Sequence, residues 1–200
     1  FAKESDLSYN VHLPTDISVS DEDPARQRQA VETIIRVAEL VRPLNASALI
    51  LHVPYSQSLY EENSVDKWRE KVYQNLVKVK SAVGNEAIIA IETLDYPFEL
   101  IEDIVWDLDL MICLDVGHLI VYEYDIREVF SKHASKISVM HLHGVENERD
   151  HLSLQQMPEN EFESVLWILS RFNGVACLEV FSFENLATSL RYLETHWKRE

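Results

Sequence analysis

The chain is predicted to be an α/β protein built on a parallel sheet that is covered by helices on both faces or closed into a barrel. Three observations lead there. Short apolar runs alternate with amphipathic stretches along the whole 200 residues. The runs are nearly continuous in apolar side chains, as in strands buried on both faces. Glycine occurs only 4 times, too seldom for an all-β protein rich in tight turns.

The elements follow in order. The first strand is read over 9–14, Tyr-Asn-Val-His-Leu-Pro. A helix over 24–42 follows, with Asp23 as N-cap and Pro24 at the first helical position. Ala30, Ile34, Ala38 and Val41 share one of its faces. The second strand is 48–54, and its helix covers 64–83. Val65, Trp68, Val72, Leu76, Val79 and Val83 recur there at helical spacing, and Gly84 stands in the C′ place. The third strand is 87–92, followed by a short helix over 97–106. The fourth is 110–115, with a short helix over 125–132. The fifth is 136–142. A polar loop, 144–158, leads to a helix over 159–172. The sixth strand is 175–179, and a helix over 183–197 closes the chain.

Composition excludes several classes. Apolar residues make up 46% and charged residues 26%, as in ordinary globular domains. The chain is expected to form a single domain, 1–200. No apolar run reaches the ~18 residues of a membrane span, so no membrane partner is expected. Acidic side chains outnumber basic ones 34 to 18, for a net charge of −16. That field repels nucleic-acid backbones. The basic residues Lys67, Arg69, Lys71, Lys78 and Lys80 are spread along one helix and read as a solvated face. Cys113 and Cys177 form no CxxC pair, which suits a reducing, cytoplasmic setting. The sequence leaves the oligomeric state open.

Parallel α/β folds carry their chemistry at the carboxyl ends of the strands. All six predicted strands finish in a metal-binding side chain: His12, His52, Glu92, Asp115, His141 and Glu179. His118 follows Asp115 by three residues, and Asp150-His151 stands in the next loop. Imidazole nitrogens and carboxylate oxygens are natural donors for Zn²⁺ or Mn²⁺. Each residue alone reads as a satisfied interior histidine, a helix N-cap or a carboxylate on a helix dipole. Donors at all six ends together point to a metal site. His143 is set aside, because strand alternation would turn it away from His141. His133 and His196 are expected on helix surfaces. Cys113 and Cys177 share the face of the carboxylate two residues on and read as small core residues. Tyr55, Tyr96 and Phe181 follow strand ends and could line a pocket.

The ordered set His-x-Pro, His-x-Pro, Ile-Glu-Thr, Leu-Asp-Val-Gly-His, Val-Met-His-Leu, Asp-His-Leu-Ser-Leu and Leu-Glu-Val resembles the xylose-isomerase-like barrel superfamily, over roughly 9–182. The resemblance implies a TIM (β/α) barrel. It places His12 at the third barrel strand, so six βα units would be visible here. The first two, on the order of 50–70 residues of a barrel of about 250, would precede Phe1. Two chemistries are implied. In the isomerase and epimerase branch, Glu92, Asp115, His141 and Glu179 would hold one Mn²⁺-like ion, with Glu92 and Glu179 moving a proton beside a carbonyl. In the endonuclease IV branch, His12, His52, His118, Asp150 and His151 would join them around two or three ions, Zn²⁺ foremost with Mn or Co as alternatives, to hydrolyse a phosphodiester. The near-complete histidine set favours the hydrolase. One departure is that Asp150 directly precedes His151, where the family pattern is Asp-x-His.

The negative charge favours a small-molecule phosphodiester over DNA. The Asn-Val-His-Leu-Pro-Thr-Asp and Asp-His-Leu-Ser-Leu segments look most like the cobamide-remodelling phosphodiesterases, which implies a corrinoid substrate cleaved at its nucleotide loop. A non-catalytic metal- or ligand-binding barrel is the third reading. A pure binder would have no use for Glu92 and Glu179 as a pair.

Overall fold

The computed structural model describes residues 7–55, 64–84 and 87–197. They fall into two compact units, Phe1–Ile112 and Cys113–Glu200.

The first unit holds β1 (Asn10–His12), α1 (Pro24–Val41), β2 (Ala48–Leu51), α2 (Ser64–Val83), β3 (Ile89–Glu92) and α3 (Glu102–Asp107). Its strands are parallel and pair in chain order, Val11 opposite Leu49 and Ile50 opposite Ala90. Every residue of β2 and β3 is buried, which is why their sequences do not alternate. Asp23 caps α1 by accepting the Ala25 N–H at 2.8 Å. Ala30, Val31, Ile34 and Ala38 form its buried stripe, and α1 packs on α2. Val41, expected on that stripe, is half-buried. Gly84 has φ 75°, the left-handed conformation that ends a helix cheaply only with glycine. The predicted helix over 97–106 is divided in two, a 3-10 turn at Phe98–Leu100 and then α3.

The loops after β2 and β3 are pinned from beneath by aromatics. Trp68 of α2 meets the rings of Tyr55 and Tyr96 edge-on, with centroids 5.1 and 5.2 Å apart. Each polar tip is used. The Trp68 Nε1–H donates to the Pro54 carbonyl at 3.0 Å, and the Tyr96 hydroxyl donates to the Val53 carbonyl at 2.9 Å. Burial pushes the Tyr96 phenol well above its ordinary range, so it stays a neutral donor. Emptying this cluster with Trp68→Ala is expected to cost about 3–5 kcal/mol in urea unfolding.

Strand β4 (Met111–Asp115) ends the first unit and opens the second. The second continues with α4 (Val116–Val121), α5 (Ile126–His133), β5 (Ile137–Leu142), β6 (Gly144–Glu146), β7 (Arg149–Leu152), α6 (Glu159–Leu169), β8 (Val175–Leu178) and α7 (Phe183–His196). Strand β5 pairs in parallel with β8, His141 opposite Cys177.

Two expectations are corrected here. The segment 144–158 is not a plain polar loop. It carries an antiparallel hairpin, β6–β7, closed by Asn147 and Glu148. Both turn residues have positive φ, 50° and 62°, the type I′ pattern. Because a side chain in that conformation costs about 1–2 kcal/mol, Glu148→Gly is expected to raise stability by about 1 kcal/mol in the same assay. His133, expected on the surface, is only 2% exposed. It stands at i+7 from Ile126 and i+3 from Phe130, on the buried stripe of α5.

Candidate metal and acid–base site

The first unit brings three of the predicted residues together. Glu92 ends β3 and is 1% exposed. His12 ends β1, and His52 follows β2 directly. Parallel register carries both imidazoles to the same oxygen: His12 Nε2 lies 3.1 Å and His52 Nε2 3.0 Å from Glu92 Oε2. The two rings meet edge-on at 4.9 Å. His12 Nδ1 lies 2.8 Å from the Leu13 carbonyl, an acceptor, so Nδ1 carries a proton. A backbone carbonyl holding the far nitrogen is how metal-binding histidines are commonly oriented.

The second unit gathers the rest. Asp115 closes β4, is fully buried and caps α4. Its Oδ1 accepts the His118 N–H at 2.7 Å. His141 Nδ1 lies 3.6 Å from Asp115 Oδ2 and 2.6 Å from Glu179 Oε2. Asp115, His141 and Glu179 thus form a carboxylate–imidazole–carboxylate donor set, whose hard oxygens and single nitrogen fit a divalent ion. A second group lies beside it. His118 Nε2 is 3.9 Å from Asp150 Oδ2, and His151 Nδ1 is 2.9 Å from Asp150 Oδ1. Ligand atoms of His118, His143 and His151 lie within 4.8 Å of one another. Asp150 therefore touches both histidines despite its shifted place in the sequence.

The charges follow from this geometry. Burial would push the Asp115 carboxyl up. Hydrogen bonds with His141 and His143, and the nearby His143 and His118 rings, hold it well below the carboxylate range instead. Asp150 is likewise lowered, against its own partial burial, by His151 and the other two rings. Burial disfavours a charged His143, but Asp115 outweighs it and raises that ring's pKa. A second proton would compete with the His151 N–H, which already occupies His143 Nδ1 at 2.9 Å.

His143 is the residue that sequence reasoning set aside. Strand β5 stops at Leu142, so alternation no longer governs the next position. The ring is wholly buried and lies 3.0 Å from Asp115 Oδ1 through Nε2. The readable signal was Gly117, one residue before His118: a Cβ there would come within 1.9 Å of the His143 ring. Phe181 stacks on His151 at 4.3 Å while 78% exposed. Tyr55 and Tyr96 support their loops from within. Cys113 is buried, Cys177 half-buried.

Comparison with known proteins agrees with the fold. The family model described as xylose isomerase-like TIM barrel matches residues 1–196. Among solved structures, a D-tagatose 3-epimerase-like protein superposes with a TM-score of 0.84 at 20% identity, over 97% of this chain and 78% of that one. A 3-keto-D-glucoside 4-epimerase from E. coli gives 0.76 at 15%, over 97% and 81%. The IOLI protein, solved with a binding zinc atom, gives 0.72 at 14%, over 96% and 77%. No curated protein sequence matches. At these identities the likeness establishes an α/β, TIM-barrel-like fold. Nothing in these matches supports the expected cobamide substrate, and the epimerase alternative is the better supported of the two chemistries. Among the described residues, no helix is long and apolar enough to cross a membrane.

Proposed function

Since the chain belongs to the xylose isomerase-like TIM barrel family, we propose that it is a metal-dependent isomerase or epimerase acting on a small sugar or related hydroxyketone. The observation that carries this reading is the Asp115–His141–Glu179 donor set, in which one imidazole nitrogen faces two strand-end carboxylates. Two of the similar solved structures are an epimerase and an epimerase-like protein. The family resemblance implies Glu92 as the fourth ligand and as the partner base of Glu179.

The bound ion would polarise the substrate oxygens and acidify the carbon between them. Glu179 is the more open carboxylate, its side chain 25% exposed. It takes the proton from the carbon beside the carbonyl. Glu92, held by His12 and His52, is the carboxyl that the resemblance implies for returning a proton. Asp115 stays ionised and keeps its negative charge toward His141. The histidines that the hydrolase reading assigned to further ions each have a carboxylate of their own unit: His12 and His52 have Glu92, His118 has Asp115 and Asp150, and His151 has Asp150. Their number alone therefore does not require additional metals.

The test is exchange of substrate carbon-bound hydrogen. The Mn²⁺-loaded protein is incubated with a panel of ketoses in D₂O and followed by NMR. Deuterium is expected at the carbon next to the carbonyl, together with the epimer or isomer. Absence of exchange across the panel, with turnover of a bis-nitrophenyl phosphate, would reject the proposal. That outcome belongs to a second reading, a hydrolase with two or three ions, which the paired imidazoles around Glu92 Oε2 favour. Metal content also divides them. The epimerase is expected to hold one equivalent and to keep its turnover in His118→Ala. A polynuclear hydrolase would lose both metal and activity.

A further inference from the structure

We infer that His143 is a positioning residue: it clamps one oxygen of Asp115 so that the other is presented to the metal, and it ties that carboxylate to the β6–β7 hairpin. The inference rests on the metal-site reading above and extends it to a residue outside the ligand set.

The carboxylate of Asp115 would otherwise be free to turn about its Cβ–Cγ bond. Two donors prevent this at Oδ1. One is the His118 backbone N–H at 2.7 Å, the other His143 Nε2 at 3.0 Å. The remaining oxygen, Oδ2, is the one nearest His141 Nδ1, at 3.6 Å. His143 Nε2 also lies 3.2 Å from Oδ2, so the ring bridges the carboxylate edge while approaching Oδ1 more closely. The tautomer is set from the far side of the ring. The His151 N–H donates to Nδ1 at 2.9 Å, which makes Nδ1 the acceptor and Nε2 the nitrogen that carries the proton.

The hairpin is held through the same ring. His151 has φ 53°, an uncommon conformation for a side-chain-bearing residue, and its N–H is the group that His143 accepts. The two imidazoles stack at 4.2 Å with an 8° tilt. Gly117 supplies the space, since any Cβ there would collide with the His143 ring. Asp115 orientation and hairpin placement are therefore read by opposite nitrogens of one buried side chain.

The two bonds separate by mutation. His143→Gln can keep an N–H where Nε2 stood and loses the acceptor at the Nδ1 position. His143→Asn keeps an acceptor near the Nδ1 position and loses the donor to Asp115. Mn²⁺ is titrated calorimetrically into the wild-type protein, both variants and Asp115→Asn, and His151 amide exchange is followed by NMR in the same samples. His143→Asn is expected to weaken Mn²⁺ about 10–100-fold, the usual loss when a ligand's supporting hydrogen bond is removed, and to leave His151 exchange unchanged. His143→Gln is expected to keep Mn²⁺ affinity and speed His151 exchange. Equal effects of the two variants on both readouts would reduce His143 to packing and overturn the inference. Should Asp115→Asn bind Mn²⁺ as well as wild type, the metal-site reading itself falls and takes the inference with it. Long-range ¹H–¹⁵N spectra of the wild-type protein decide independently of any variant's folding: a proton on Nε2 supports the inference, and one on Nδ1 alone overturns it.

Discussion

Glu179→Gln lowers turnover of the responsive ketose, measured at saturating Mn²⁺, by about 10²–10⁴-fold, the contribution usual for a positioned general base; as the loss of one proposed ligand carboxylate it is also expected to weaken Mn²⁺ binding. Glutamine matches the shape of glutamate and can still offer an oxygen to a cation, but it takes no proton. The loss therefore falls on kcat rather than on KM. Glu92→Gln is expected to give a loss of the same order. The two differ in one respect. Glu92 has His12 and His52 at one oxygen, so removing its charge also disturbs those imidazoles and is expected to lower thermal stability. Glu179 is more open and has one imidazole, His141, at 2.6 Å, so the melting temperature of its variant should fall less. Solvent-deuterium exchange without net epimerisation in one variant, and neither in the other, would show which carboxylate acts first. Undiminished turnover in both would end the acid–base reading.

The second large effect concerns Asp115. Its buried carboxylate accepts from the His118 N–H and lies against His141 and His143. Asp115→Ala orphans those groups together and is expected to cost about 3–5 kcal/mol, as for a buried charged pair broken on one side. The pH dependence follows from the direction of the shift. The folded-state pKa lies below the ordinary 3.8. Asp115 therefore contributes stability that is fully present above that ordinary value. The contribution disappears as pH falls from there through the folded pKa. Urea midpoints of the metal-free protein between neutral and strongly acidic pH should fall along that arm. In Asp115→Asn, which has no proton to take up, that part of the acid dependence should vanish. Midpoints of wild type and variant that run parallel down to the lowest pH would contradict the assignment.

Much of this was legible from strand ends. Glu92 and Asp115 are the last residues of their strands, and His52 and Glu179 follow theirs directly. A reading that asks only what stands at the carboxyl end of each apolar run finds them without knowing the register. The misses have other causes. Strand alternation turns His143 away from His141, but the strand ends at Leu142, and the room for the ring is signalled by the missing side chain at Gly117. The hairpin turn uses Asn147-Glu148, without the glycine that normally advertises a two-residue turn. His133 is expected on a helix surface, whereas its spacing from Ile126 and Phe130 puts it on the buried stripe. The substrate was the least legible feature, because strand ends specify the reacting groups and say little about what recognises the rest of the molecule.

Among the described residues, the β6–β7 ladder pairs with itself and belongs to no other sheet. Residues can be added to or trimmed from its tip without re-registering a barrel strand. For an evolving lineage the tip is a module free to diversify, while the His151 end stays fastened to His143. On the proposed function, directed evolution toward new sugars should accordingly begin by randomising the exposed 146–149, before touching any residue of the parallel strands.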